Sequence, residues 1–190
     1  KKNSRFFFSL LSFILTIMNN RWMYIDFNSY FASVEQQLDP KLRNQPVAVI
    51  PVNTDATCAI AASYEAKAFG IKTGTAIWEA KKMCPHLICI LAKHQVYVEF
   101  HEKILQEIDR HLPITKVWSI DEVACELMDN EKEHAELIAK KMKQGLKENV
   151  GECIRCSIGV APNRYLAKVA TDMKKPDGLV FIHQEELPHK

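Results

Sequence analysis

Residues 117–127 read VWSIDEVACEL, an apolar, β-branched run broken at its middle by two adjacent carboxylates, Asp121 and Glu122. A charge buried without compensation is expensive. A fold that accepts this segment must therefore leave the pair at a wet turn or bring positive charge to it. The flanking segments ITKVWSI and VACELM both read as strands, so the pair sits at or near the junction between them.

A third acid has a similar setting. RWMYIDF is a short apolar strand that ends in Asp26. If the strands carrying Asp26 and Asp121/Glu122 are sheet neighbours, three carboxylates meet at one point, and they share it in ionised form only with a cation present. Carboxylates with backbone and water oxygens suit a hard ion such as Mg²⁺, whereas zinc would call for His or Cys. Two such ions about 4 Å apart stabilise the attacking and leaving oxygens of a phosphoryl transfer. Taken singly, an Asp-Glu pair at a hairpin is ordinarily a solvated turn and an Asp at a strand end a cap. Periodicity alone does not make the two strands neighbours.

The rest of the chain supplies a scaffold. NSYFASVEQQL has apolar residues at helical spacing, with Asn28 or Ser29 placed to cap it. PVAVIP and TCAIAAS read as paired strands across VNTDA. YEAKAFG opens a helical turn closed by Gly70, TAIWEAKKMCP is a short helix stopped at Pro85, and HLICIL is a strand. One amphipathic helix is expected from His94 to His111, with Tyr97, Ile104, Leu105, Ile108 and Leu112 on its apolar stripe. EKEHAELIAKKMKQGLKENV reads as a second long helix, CIRCSIGVA as a strand, PNRYLAKVATDMKK as a helix and GLVFI as a last strand. With the segment from about 30 to 93 set aside, the order is that of a ferredoxin-like α+β layer, a sheet with helices on one face. The segment set aside is small, strand-rich and bounded by prolines, as an inserted subdomain would be.

Charge and cysteines exclude little but do redirect attention. The formal net charge is +2, yet Lys1, Lys2 and Arg5 lie in the first few residues. From Met18 onward 22 basic residues face 23 acidic ones, so bulk charge carries no sign of nucleic-acid binding and any such role must come from a site. Cys153 and Cys156 form a C-x-x-C without the second pair a zinc site needs, and in a continuous strand they would face opposite sides. The six cysteines read as free thiols of a reducing cytosol. Residues 1–22 have a basic start and an apolar stretch too short to span a bilayer comfortably. They read as an extension ahead of a start at Met18 or Met23, and no membrane partner is expected.

Four blocks, YIDFNSYFASVE, AASYEAKAFGIKTG, VWSIDEVACEL and CSIGVAPNRYLAKVATDMKKPDG, occur in that order between about Met23 and Gly178. In these blocks the chain resembles the Y-family translesion DNA polymerases of the DinB/UmuC kind. The resemblance implies a polymerase palm (23–29 and 94–182) with an inserted fingers subdomain (30–93), followed by the start of a thumb at 183–190. It implies that Asp26, Asp121 and Glu122, with the Phe27 carbonyl, hold two Mg²⁺ ions, which Mn²⁺ can replace. Glu122 would lie on the ion that activates the primer 3′-hydroxyl. Phe31 matches the family's steric gate against a ribose 2′-hydroxyl, and Tyr30 the neighbouring aromatic of the nucleotide pocket. Tyr64, Lys67 and Lys168 fall where the family contacts the triphosphate.

Two positions depart from that pattern. Many relatives have Arg where Lys67 stands, and Lys lacks the bidentate fork. Ala61 replaces a hydroxyl residue common in the DinB branch. The implied partners are primer-template DNA, deoxynucleoside triphosphates and, through a carboxy-terminal region beyond this sequence, a sliding clamp, all in the cytoplasm. Relatives continue into a thumb and a little finger that grip DNA, so the chain is expected to be palm and fingers of a longer enzyme. Two other classes compete with error-prone DNA synthesis. One is a non-catalytic interaction module that keeps the fold, against which the intact acids, gate and Lys168 speak. The other is a nucleotide cyclase, against which the lack of a GG[DE]EF-type block speaks.

Overall fold

The structure, a computed structural model, describes residues 20–187. Most of the expected amino-terminal extension, residues 1–19, and the final residues 188–190 of the segment assigned to a thumb lie outside the described residues. Among those described, no helix is long and apolar enough to cross a membrane.

Among the described residues, eight strands and seven α-helices follow the expected order. They are β1 (Trp22–Phe27), α1 (Tyr30–Leu38), β2 (Val47–Ile50), β3 (Ala61–Ala62), α2 (Tyr64–Lys67), α3 (Ile77–Met83), β4 (Ile88–Leu91) and α4 (His94–Asp109). Then come β5 (Lys116–Ser119), β6 (Glu122–Glu126), α5 (Asp129–Lys132), α6 (Ala135–Gly145), β7 (Cys156–Ala161), α7 (Arg164–Met173) and β8 (Leu179–Phe181). The main sheet runs β5-β6-β1-β7-β8. Each of its first four strands is antiparallel to its neighbour, and β8 joins parallel to β7. With the insertion set aside, this is the strand order of a ferredoxin-like layer. A second sheet, β3-β2-β4, pairs β2 antiparallel with β3 and parallel with β4.

Alternation along β1 sorts its side chains between two faces. Met23, Ile25 and Phe27 join Val123 and Cys125 of β6 and Cys156, Ile158 and Val160 of β7 in the large core. That core is closed by Tyr97, Ile104 and Ile108 of α4 and by Ala135, Ala139 and Met142 of α6. Tyr24, Ala124 and Ala161 point the other way, against Ala167 and Ala170 of α7. The expected single helical face is thus extended, because α7 covers the opposite side of the sheet. Small side chains make that possible. A Cβ at Gly159 would lie 2.0 Å from the Ala167 carbonyl oxygen, so the helix rests directly on β7. The inserted strands have their own small core of Ala48, Ile50, Ala62, Ile71 and Ile77.

Three further expectations change. The helix read from Glu131 to Val150 is broken at Glu133–His134 and ends in a widened π turn over Leu146–Val150. That turn buries Leu146 while Asn149 donates to the buried Glu107 carboxylate at 3.0 Å. The strand read from Cys153 begins only at Cys156, because Cys153 lies in a turn where its backbone N–H donates to Gln37 Oε1. The C-x-x-C is therefore a turn residue and a strand residue, and burial pushes the Cys156 thiol up to about 12. Finally, neither Asn28 nor Ser29 caps α1. Ser29 holds the N-cap position in the left-handed region at φ 49 with no side-chain cap bond, while the Asn28 side chain is committed to β7.

Candidate active site

The sheet register makes the acids neighbours. Asp26 is directly opposite Glu122 on β6 and opposite Ser157 on β7. Two residues before Asp26, Tyr24 is packed under α7. Asp26 and Glu122 continue the same face past the end of that packed region, where the cover is polar. Asp26 is only 6% exposed. The Phe27 N–H donates to the Asp121 carbonyl at 2.9 Å, which fixes the hairpin carrying the pair against the end of β1.

Positive charge is present at the acids, as their burial requires. Lys168 of α7 bonds Asp26 Oδ2 and lies 2.9 Å from Glu122 Oε1. Lys175, just beyond α7, reaches Asp26 Oδ1 at 2.8 Å and Asp172 Oδ1 at 2.9 Å. The Tyr24 hydroxyl donates to Glu122 Oε2 at 3.0 Å. Burial works against both ammoniums, but hydrogen bonds to Asp26, with Glu122 for Lys168 and Asp172 for Lys175, outweigh it and hold their pKa values above the usual lysine range. Asp121 is turned aside: its carboxylate accepts from Ser119 Oγ at 2.6 Å. Among the described residues no three His, Cys, Asp or Glu side chains already converge as a ready ligand set. Asp26 and Glu122 are held together, and Asp121 lines the same cleft from its edge.

That cleft has a volume of about 330 Å³ and lies between the two sheets. Asp26, Asp121, Glu122, Lys168 and Lys175 form one wall, and Ile60, Ala61, Ala62, Lys67 and Thr73 of the insertion form the other. Phe31 lines it from α1, its ring stacked on Tyr97 with centroids 4.5 Å apart. Tyr30 touches the cleft but belongs to the core: it is 4% exposed and its hydroxyl donates to the Tyr97 carbonyl at 2.7 Å. Tyr64 carries the Lys67 ammonium over its ring at 4.5 Å and borders a second cleft that also holds Arg43 and Arg155. Burial, with Lys175 nearby, lowers the Lys67 pKa.

Several contributors were not foreseen from sequence. Lys175, Asp172, Tyr24 and Thr73 join the site, although Lys175 and Asp172 lie within the fourth block. The amino-terminal end of α1 also opens on the cleft, through Ser29, Tyr30 and Phe31. Its first intrahelical bond runs from Ser33 N–H to Ser29 O, so the N–H groups before Ser33 have no intrahelical acceptor. No side chain caps them, and Ser29 Oγ is buried without a partner. An uncapped helix start beside three lysines favours an anion.

The donor set fits hard divalent ions on its own chemistry. A nearly buried carboxylate, a second one directly across the strand pair and a third at the cleft edge are all oxygen ligands. Two ammoniums already stand where compensating cations are needed. Asp26, Glu122 and Asp121, with the Phe27 carbonyl at the same cleft, would hold such ions.

Comparison with known proteins places this geometry. The model of the impB/mucB/samB family matches residues 25–172. A DNA polymerase IV from Moorella thermoacetica is 41% identical over 171 residues, covering 87% of this chain and 42% of that protein. Among solved structures, a Y-family DNA polymerase chimera of Dbh and Dpo4 superposes with a TM-score of 0.81 at 31% identity, over 87% of this chain and 49% of that one. An insertion ternary complex of Dbh DNA polymerase superposes with a TM-score of 0.78 at 31% identity and the same coverage. The chain spans less than half the length of the relatives it matches. With the four sequence blocks, the strand order and the cleft in agreement, the chain belongs to the impB/mucB/samB family and represents a portion of a Y-family DNA polymerase.

Proposed function

We propose that this chain is the catalytic palm and fingers of an error-prone translesion DNA polymerase that adds deoxynucleotides to a primer 3′-hydroxyl. The observation that carries this reading is the cross-strand pair of the buried Asp26 and the half-buried Glu122, matched by ammoniums and facing a cleft with an uncapped helix start. The likeness to Dbh DNA polymerase solved as an insertion ternary complex supports this reading.

The chain's own residues have separable tasks. Asp26, Asp121 and Glu122 concentrate negative charge where Mg²⁺, or Mn²⁺ in its place, is needed. When bound, two such ions activate the attacking hydroxyl and neutralise the leaving pyrophosphate. Lys67, Lys168 and the amino-terminal end of α1 give a triphosphate positive charge and N–H donors, and the Tyr64 hydroxyl adds a further donor. Phe31, braced on Tyr97, forms a rigid floor that selects deoxyribose by steric exclusion. Tyr30 supports that floor from within the core. Primer-template DNA, and a clamp bound through further domains, complete the machine in the cytoplasm.

The test is primer extension. The chain, joined after Ile182 to the remainder of the Moorella relative, should extend a primer distributively, with activity falling steeply as salt rises. Asp26→Ala or Glu122→Ala in the same protein should abolish extension while leaving the melting temperature near that of wild type. Extension at wild-type rate in either variant would remove that acid from the chemistry and favour an interaction module instead.

A further inference from the structure

Lys143 belongs to α6, on the large-core side of the main sheet, yet its ammonium reaches the end of the sheet that carries the acids. One turn earlier Lys140 makes an exposed ion pair with Glu136, as a solvated helix face would. Lys143 differs: its side chain is 19% exposed and its Nζ lies among four oxygens. It donates to the carbonyls of Cys156, Asp177 and Gly178 at 2.9, 2.7 and 3.0 Å. The Asp177 carboxylate completes the cage, with Oδ1 at 2.8 Å.

Those oxygens belong to the frame of the acid cleft. On β7, Cys156 is directly opposite Phe27 and Ser157 is opposite Asp26. The Asn28 side chain donates to Ser157 Oγ at 3.1 Å and accepts the Asp177 N–H at 2.7 Å. Ser157 Oγ in turn donates to the Lys174 carbonyl at 3.3 Å and accepts the Gly178 N–H at 3.3 Å. Asn28 and Ser157 are both buried. These bonds grip the segment on both sides of Lys175 and tie it to the end of β1. The segment does not hold that shape by itself. Asp177 has a φ of 57, a left-handed conformation that a residue other than glycine keeps only where its surroundings impose it. Carbonyl oxygens brought together also repel one another unless a donor or cation stands between them. The Lys143 ammonium is that cation.

We propose that Lys143 is a positioning residue of the acid cleft. From the far side of the sheet it closes the oxygen cage and holds Asp177 and Gly178 against Asn28 and Ser157. The end of β1 is thereby fixed, with Asp26 and the Phe27 carbonyl at the spacing a divalent ion requires. This rests on the metal reading given above. Lys143 touches neither metal nor nucleotide and acts through the junction of β1, β7 and the Asp177 segment.

The experiment is electron paramagnetic resonance of Mn²⁺ titrated with dATP into the 190-residue chain. It is run at a temperature where circular dichroism shows every variant folded. Lys143→Ala should weaken protein-dependent Mn²⁺ binding about tenfold, the lower end of what contacts that orient metal ligands contribute. Lys140→Ala should bind Mn²⁺ as wild type does. Propylammonium replaces the side-chain atoms removed in Lys143→Ala one for one, and adding it should restore most of the binding. Tetramethylammonium at the same concentration is a cation with no N–H to donate and should restore none. The proposal is overturned if Lys143→Ala binds Mn²⁺ as wild type does, even where its melting temperature falls, because Lys143 then serves stability alone. It is also overturned if the two added cations act alike, whether both restore binding or neither does. Wild type that binds no Mn²⁺ beyond that of free dATP, or Asp26→Asn without loss, would instead overturn the metal reading of the acids and this inference with it.

Discussion

Gly159 gives the most demanding test of how α7 positions the site. The residue is on β7, under the helix, and an added Cβ would meet the Ala167 carbonyl oxygen at 2.0 Å, Ala170 Cβ at 2.7 Å and Thr171 N at 2.8 Å. Two of these three atoms are helix backbone, so no rotamer change relieves the clash. An ordinary contact needs about 3.5 Å, so α7 must lift by roughly 1.5 Å as a unit. Overpacking of this kind costs about 3 kcal/mol, near the top of the usual range, because the obstacle cannot rotate away. For a chain of this size that corresponds to a drop of roughly 6–12 °C in melting temperature. Lys168 rides on α7 with its ammonium 2.9 Å from Glu122, so Gly159→Ala should also weaken Mg²⁺-dependent nucleotide binding. Gly74 supplies the contrast: its φ is +89 with no atom within 4 Å of an added Cβ. Gly74→Ala therefore meets only backbone strain of about 1–2 kcal/mol. The assay is thermal unfolding followed by circular dichroism, with nucleotide affinity measured on the same samples. If Gly159→Ala melts within about 2 °C of wild type and binds nucleotide normally, the helix does not rest on β7 as described.

Other parts of the account make separate predictions. Phe31→Ala, in the extended protein, should raise ribonucleotide incorporation relative to deoxynucleotide by roughly 10- to 100-fold opposite one template base. Unchanged discrimination would return Phe31 to a purely core role. Glu107 is buried, which alone would raise its pKa, but hydrogen bonds from His111 and Asn149 and the Arg110 charge hold it below the usual value of 4.5. A depressed carboxyl adds stability above its unfolded pKa and loses it as pH falls through the folded value. Glu107→Gln should accordingly cost about 2 kcal/mol in urea unfolding at pH 7, and the difference should shrink below pH 4.5. A difference that is the same at pH 7 and pH 3.5 would show that the ionised form is not what stabilises α4 against the turn at Asn149.

What the sequence made legible follows from period and punctuation. The β1 and β6 strands announced themselves through WMYI and VAC, and the two interrupting acids pointed at the site because apolar strands rarely tolerate them. The helix α4 was legible over its full length from one apolar stripe. The position of α7 was not. The segment was legible as a helix, but its sheet-facing residues are Ala167 and Ala170 opposite Gly159, Ala161 and Ala124, and its period does not say which face of the sheet it covers. Lys175 was equally hidden, because its place depends on Asn28 and Ser157, which are 129 residues apart in sequence and bonded in space. Asn28 looked like a helix cap for the same reason: the alternative partner is visible only once β1 and β7 are side by side. The start of β7 was misplaced because CIRC alternates like a strand, while Gln37 holds Cys153 in a turn.

The central claim is that Asp26, Glu122 and Asp121 gather divalent ions together with a nucleotide, displacing the lysines that now neutralise them. Electron paramagnetic resonance of Mn²⁺ titrated into the chain with a deoxynucleoside triphosphate tests it directly. Wild type should bind about two Mn²⁺ per chain in the presence of nucleotide, as a two-ion site requires. Asp26→Asn and Glu122→Gln should each lose protein-dependent Mn²⁺ binding. Mn²⁺ binding no greater than that of free nucleotide, or unchanged in both variants, would contradict the account.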